Sequence, residues 1–391
     1  MSHSDSPQEL AADRAAATGN AALAARLLDE AVAAEPDRAA LWAKLSAMRR
    51  ALGDGPAALA AIDRALALLP LDFSALLARA FLLERAADPR AGDAFCNAIA
   101  QEPADDEVPP TMRGAVAHAR QRSASHRAAI EAAMLAVVGD ALDPDVRARV
   151  ERFVSNSSRR TSHFHQQPSH FHQKPSHFHF PGLPEVEFHD RAEFPGLADL
   201  EAEWMAIRAE FEALLAAEVA EMVPYIQYPD RVPLRQWQAL NHSRDWSAVH
   251  LIQNGRRIDA NARHCPRTLA AVAAMPQPDV PGASPNAMFS LLAPRTRIPA
   301  HTGVANTRLV CHLPLIVPPG CGFRVGDTVR EWREGEAFVF DDTIEHEAWN
   351  DSDQLRVVLI FDLWPPALSE AERAAVAAII PAAGVGFTGA L

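Results

Sequence analysis

A repeat of about 34 residues constrains the first third of this chain more tightly than any other feature. Pro36 recurs as Pro70, and at the same spacing Gly19 recurs as Gly53, Ala24 as Ala58, Asp29 as Asp63, and Ala31 as Ala65. Leu28 pairs in the same way with Ile62, and Val32 with Leu66. A third, looser copy sets Phe95, Ala98, Ile99 and Pro103 one residue early. Each copy reads as two amphipathic helices, with small Ala side chains where helices approach closely. A Pro follows the second helix, where its missing N–H and fixed φ end it. A unit of this kind cannot bury its apolar face alone, so the copies are expected to stack.

In period, Ala placement and terminal Pro, residues 1–110 resemble the tetratricopeptide repeat (TPR). The resemblance implies a peptide-binding or packing surface and no chemistry; an Ala-rich bundle of another kind is the alternative. Residues 111–155 keep Ala, Val and Leu at three- and four-residue intervals and are expected as a helical cap or connector. Residues 156–180 are dominated by three heptad-length copies: Ser162-His163-Phe164-His165-Gln166-Gln167-Pro168, Ser169-His170-Phe171-His172-Gln173-Lys174-Pro175 and Ser176-His177-Phe178-His179-Phe180-Pro181. Histidines one residue apart share a face of an extended chain and suit Zn, Ni or Cu. The reading adopted is a His-rich, Pro-punctuated linker with solvated histidines, whose loss would leave the chemistry unchanged.

The formal charge of −13 excludes a general nucleic-acid binder or a polybasic membrane anchor, which need clustered Lys and Arg. No segment reaches the roughly 18 apolar residues of a membrane span, and the N-terminus lacks a leader pattern, so a cytoplasmic protein is expected. Cys96, Cys265, Cys311 and Cys321 lack C-x-x-C spacing and read as free thiols. From Pro181 the texture changes. Ala198 to Met222 has helical spacing, and from Asn286 to Leu363 short apolar runs are broken by Pro, Gly and Asp, as in a β-sandwich or open barrel. Ser369 and Glu372 form a capping-box pattern ahead of a closing helix.

Alternation along the strands decides which side chains meet. In Arg308-Leu309-Val310-Cys311-His312-Leu313-Pro314-Leu315 the residues Leu309, Cys311, Leu313 and Leu315 share one face, which leaves Arg308, Val310 and His312 on the other. Met288-Phe289-Ser290-Leu291-Leu292 carries one polar residue, and Arg356 to Asp362 begins on a cation. His301 and His346 lie in polar turns between these runs. Two neutral imidazoles on a rigid β-scaffold suit a mononuclear non-haem iron centre, and Arg356 can grip the far carboxylate of an oxoacid through its planar fork.

The series His301-Thr302-Gly303, Asn306-Thr307-Arg308-Leu309, His312-Leu313, Trp332, Glu334-Gly335, Phe340-Asp341-Asp342-Thr343, Glu345-His346-Glu347, Trp349 and Arg356 resembles the aspartyl/asparaginyl β-hydroxylase family over roughly Pro181 to Pro366. The resemblance implies that His301 and His346 hold Fe(II) and that Gly303 stands where related oxygenases carry a metal carboxylate. It implies further that Ser290, His312 and Arg356 bind 2-oxoglutarate, and that Trp246 and Arg308 line the substrate side. Val310 stands where the animal members have Arg, and Cys265 alone stands where they have a cysteine pair.

The fold expected is thus α+β and multidomain: all-α TPR-like repeats, then a double-stranded β-helix (jelly-roll, cupin-like) oxygenase domain with flanking helices at residues 181–391. The expected activity is an Fe(II)- and 2-oxoglutarate-dependent dioxygenase, using O2 to hydroxylate an unactivated C–H, first of all the β-carbon of Asp or Asn in a peptide. A carrier-bound amino acid or an acyl chain is a further substrate class, since the family includes lipid-hydroxylating members. The alternative of another kind is a non-catalytic TPR adaptor with a relic metal-binding domain.

Overall fold

A computed structural model describes residues 6–139, 142–158, 172–229, 232 and 237–384. They form two compact units, one of residues 6–128 with 229 and 232, the other of residues 129–139, 142–158, 172–228 and 237–384.

The first unit contains α1 (Pro7–Ala17), α2 (Ala21–Ala34), α3 (Ala39–Ala51), α4 (Gly55–Leu68), α5 (Phe73–Arg85) and α6 (Ala91–Ile99). Successive helices pack on one another. Both ends of α4 lie one sequence period beyond those of α2, and both ends of α5 one period beyond those of α3, so the sequence period is a structural period. Its causes repeat as well. Asn20 and Asp54 each accept the backbone N–H three residues on, which satisfies an orphan donor of the helix start. Gly19 and Gly53 both have positive φ, +78° and +81°, where a side chain would be strained. Ala24 with Ala58, Leu28 with Ile62, Ala31 with Ala65 and Val32 with Leu66 are all buried.

In the second unit the chain runs from α7 (Arg113–Ala136), which begins in the first, through α8 (Pro144–Ser158), α9 (Leu197–Ala202) and α10 (Trp204–Ala216) to β1 (Met222–Pro224), β2 (Trp246–Gln253) and β3 (Arg256–Arg257). The short helices α11 (Asp259–Ala262) and α12 (Pro266–Ala273) follow, then β4 (Ala287–Leu292), β5 (Thr296–His301), β6 (Leu309–Ile316), β7 (Cys321–Val325), β8 (Thr328–Arg330), β9 (Phe338–Phe340), β10 (His346–Asn350) and β11 (Arg356–Leu363), and last α13 (Glu370–Ala382). Among the described residues the strands make two antiparallel sheets. One has the order β1-β2-β4-β11-β6-β9 with β3 on β2, the other β5-β10-β7-β8.

The alternation read along Arg308 to Leu315 decides how these layers pack. Leu309, Cys311, Leu313 and Leu315 join Phe289, Leu291, Leu359 and Phe361 in a core closed by Leu200, Ile207, Phe211 and Val272 of the helices. The opposite face of the large sheet, with Ser290, Val310, His312 and Val358, turns toward the small sheet, whose Phe323 ring lies 5.2 Å from His312. Ser369 and Glu372 form the expected capping box at the start of α13.

Two expectations are revised. Residues 111–155 are not one cap on the helical array: Val150, Phe153 and Val154 of α8 are buried in the second unit with Trp364, Val376 and Ile379. The described part of the His-rich segment is likewise no solvated linker. Phe178 and Phe180 are 2% and 0% exposed and join the same core, while His179 is buried against Asn156. The physical reason is period: Phe residues two apart share one face of an extended chain and supply an apolar edge that the His and Pro content conceals. A domain cut at Pro181 would therefore lose part of this core; the first heptad and His170 lie outside the described residues. No helix among the described residues is long and apolar enough to cross a membrane. Phe153→Ala should lower the unfolding free energy of the second unit by about 3–5 kcal/mol, measured in urea. An unchanged midpoint would show that α8 lies outside its core.

Candidate active site

Strands β5 and β10 set His301 and His346 opposite each other in register, with a bulge beyond His346. The ring centroids are 4.0 Å apart. Each ring is aimed by the carbonyl two residues before it: His301 Nδ1 donates to the Pro299 carbonyl at 2.8 Å, and His346 Nδ1 donates to the Ile344 carbonyl at 3.0 Å. Since a carbonyl only accepts, both Nδ1 atoms carry the proton and both Nε2 atoms keep a lone pair. Burial pushes His301 down to about 3, with His346 adding to the effect, and pushes His346 down to about 4. Both rings are thus neutral at pH 7, as a metal ligand requires. Trp237 packs edge-on against His301 at 4.8 Å, and Trp246, stacked on Tyr225 at 3.8 Å, lies 6.2 Å away.

Beside this pair lies a buried ion cluster. Arg308 donates to Asp342 Oδ2 at 2.9 Å and to Asp362 Oδ1 at 3.4 Å. Asp362 Oδ2 also accepts from Ser284 Oγ and from the backbone and side-chain nitrogens of Asn286. A Cβ at position 303 would collide with Asp342 Oδ2, so the Asp342 carboxylate takes up the space that any side chain there would need. Asp342 Oδ1 is buried without a hydrogen-bond partner.

On the same face of the large sheet lies a cation with no carboxylate partner among the described residues. Arg356 is 2% exposed, its Nε has no partner, and its guanidinium carbon sits 5.3 Å from the Trp332 ring. Burial pushes its pKa down to about 10, which leaves it charged at neutral pH. His312 stacks on the same Trp332 ring at 5.7 Å, with its Nδ1 also unpartnered; burial and the nearby Arg356 hold it well below the usual imidazole range. Ser290 Oγ accepts from Trp246 Nε1 at 3.1 Å, which ties the Arg356 side of the sheet to the imidazole side.

The structure therefore brings His301 and His346 together with Trp246, joins Trp246 to Ser290, and sets His312 and Arg356 against one ring. Arg308, expected to line the substrate side, is engaged by two carboxylates. Sequence reasoning missed the parts played by Asp342, Asp362, Trp332 and Trp237. The Asp341-Asp342 doublet just before His346 was the available signal for one of them. The chemistry of the donor set fits a metal held by two neutral nitrogens, with an anion at Arg356. Among the described residues no group of three or more His, Cys, Asp or Glu donors forms a metal cluster.

Arg308→Met should destabilise the second unit by about 3–5 kcal/mol, because two buried carboxylates lose their cation. Burial outweighs the pull of Arg308 and already pushes the Asp342 and Asp362 carboxyls above their ordinary values. The variant raises both further, so its native state binds more protons than the unfolded chain and gains stability as pH falls. Urea unfolding at pH 8 and pH 5 should show the deficit shrinking at the lower pH; a constant deficit would reject the charge argument.

The family described as Aspartyl/Asparaginyl beta-hydroxylase matches residues 201–366, which contain every residue of this site. Among similar proteins, the ornithine lipid ester-linked acyl 2-hydroxylase of Rhizobium tropici is 37% identical over 193 residues, covering 49% of this chain and 64% of that protein. The aspartyl/asparaginyl beta-hydroxylase of Homo sapiens is 31% identical over 182 residues, 46% of this chain and 22% of that protein. The human aspartate beta-hydroxylase domain-containing protein 2 is 33% identical over 200 residues, 50% of this chain and 52% of that protein. The chain thus spans less than two thirds of each of these relatives. Residues 201–366 are thus similar to the aspartyl/asparaginyl beta-hydroxylase family.

Proposed function

We propose that the second unit is an Fe(II)- and 2-oxoglutarate-dependent hydroxylase on a double-stranded β-helix, and that the TPR-like first unit holds a further part of a peptide or protein substrate. The observation that carries this reading is the pair of neutral imidazoles, 4.0 Å apart at their centroids and each tied through Nδ1 to a backbone carbonyl, together with a buried Arg356 that has no ion pair among the described residues. His301 and His346 would hold the metal. Iron, when bound, supplies the oxidising chemistry that couples loss of carbon dioxide from 2-oxoglutarate to insertion of one oxygen atom of O2 into a C–H. The chain's own part is placement and exclusion of water. Arg356 offers its fork to the far carboxylate of the oxoacid, beside Ser290, and His312 faces the same space from the neighbouring strand. Trp246 and Trp237 wall the imidazole pair from solvent on the substrate side.

The family points first to the β-carbon of Asp or Asn. One observation separates these two. The charge of Arg308 is taken by Asp342 and Asp362, and the strand residues around it that share the chamber face, Met288, Val310, Val358 and Ile360, carry none. A substrate carboxylate buried there without a cation would lose several kcal/mol of hydration. A neutral reacting segment suits the chamber better, either an Asn side chain or an acyl chain of the kind named for the Rhizobium tropici relative.

The test is succinate release with Fe(II) and matched Asn peptides, Asp peptides and acyl esters. Neutral substrates should be preferred, and a preference for Asp would reject the charge argument. His301→Ala and His346→Ala should each bring turnover and Co(II) binding to background in a folded protein; full activity in either would end the ligand assignment. Arg356→Ala removes a charge-assisted contact worth about 1.5–3 kcal/mol, so the KM for 2-oxoglutarate should rise about 10- to 100-fold. An unchanged KM would move that role to another cation.

A further inference from the structure

The His-rich repeat is a sequence motif that the hydroxylase reading leaves unused, and its described residues hydrogen-bond to the loop after His301 and to the loop before His346. We propose that Gln173 is a positioning residue for that pair, locking the loop that follows His301 to the loop that precedes His346, and that the sequence carries a spare copy of it in Gln166. The proposal rests on the reading of His301 and His346 as metal ligands.

Gln173 is 2% exposed. Its Oε1 accepts from Asn306 Nδ2 at 2.8 Å, and its Nε2 donates to Asp341 Oδ2 and, at 3.2 Å, to the Pro184 carbonyl. Asn306 lies five residues after His301, and Asp341 five residues before His346. One amide thus bridges the loop that follows His301 and the loop that precedes His346. Its chemistry is specific to the task, since only a group that donates at one atom and accepts at the other can meet a carboxylate and an amide nitrogen together. Glu cannot donate to Asp341 when ionised, and an apolar residue of the same size can do neither.

The backbone around Gln173 continues the bridge. Lys174 N donates to the Thr343 carbonyl at 2.7 Å, Ser176 N to Gly303 at 3.1 Å and Phe178 N to Val304 at 2.9 Å. Asp341 Oδ1 in turn accepts from the backbone N and Oγ1 of Thr343, three residues before His346. Asn306 closes the far end, exchanging hydrogen bonds with the backbone of Phe180. The bridge therefore touches both ligand loops at several points, with Gln173 as the side chain common to them. A metal with only two protein ligands has little else to fix their spacing, so the loops on either side must be held by something outside the metal shell.

Gln166 holds the same heptad position as Gln173. Deleting Ser169 to Pro175 joins Pro168 to Ser176 and regenerates the run from His172 to Phe180 with one change, Gln in place of the exposed Lys174.

The experiment titrates full-length protein with Co(II), follows its visible d–d bands, and checks the fold by far-ultraviolet circular dichroism. Gln173→Met should weaken Co(II) binding by about 10- to 100-fold, the range for residues that orient metal ligands, and alter the band shape in a folded protein. The seven-residue deletion should keep wild-type affinity and bands, and the deletion combined with Gln166→Met should lose them as Gln173→Met does. Wild-type binding and bands in folded Gln173→Met, or loss of binding in the folded deletion variant, would overturn the proposal. Should Gln173→Met fail to fold, the deletion variant decides, since retained affinity supports interchangeable copies and lost affinity rejects them. Cobalt binding that survives His301→Ala would overturn the ligand reading itself, whereas loss in His301→Ala with retention in Gln173→Met overturns this inference alone.

Discussion

Arg308 between Asp342 and Asp362 is the contact on which the chamber rests. Each of the three would be expensive to bury alone, and the two hydrogen-bonded pairs keep them in place at 6%, 4% and 1% exposure. Through Asp342 the cluster reaches the turn before His346, and through Asp362 it reaches β11 and the Ser284 to Asn286 corner. The glycine at position 303 follows from the same constraint. Its missing Cβ is the room that the Asp342 carboxylate uses.

Polar satisfaction is uneven across the chamber in a way that matches its proposed work. Around Arg308 the donors and acceptors are largely matched, and among the described residues only Asp342 Oδ1 is left over. Around Arg356 the reverse holds: its Nε, His312 Nδ1 and Trp332 Nε1 are all buried without partners. Buried polar groups are ordinarily paired, so three unpartnered atoms in one place, among the described residues, set this end apart from the matched cluster at Arg308. The contrast divides the chamber into a rigid wall and a receptive end.

The two units use different means to reach order. In the first, a repeated cap and a repeated set of small apolar residues let each helix pair be built from local information, since α2 and α4 obey the same rules one period apart. In the second, most of what matters is long-range. His301 meets His346, Arg308 meets Asp362, and Gln173 meets both Asn306 and Asp341. A site assembled in this way gains precision from sheet register, because a one-residue slip would turn each inward side chain to the opposite face.

By itself the sequence determined whatever depends on neighbours in the chain. The repeat period fixed the helix pairs, the alternation from Arg308 to Leu315 separated a core face from a chamber face, and Ser369 with Glu372 announced the last helix. It also offered His301, His346 and Arg356 from residue type and placement, while Ser290 and His312 joined them only through the family resemblance. Tertiary structure decided the rest. The linker character of the His-rich segment was inferred from composition, yet Gln173, Phe178 and Phe180 are buried because surfaces far along the chain have room for them. Arg308 was expected only to line the substrate side, and its pairing with Asp342 and Asp362, both far along the chain from it, was not legible. The hydrophobic period of a strand is written locally, but whether a buried charge is paired depends on which distant strand lies beside it.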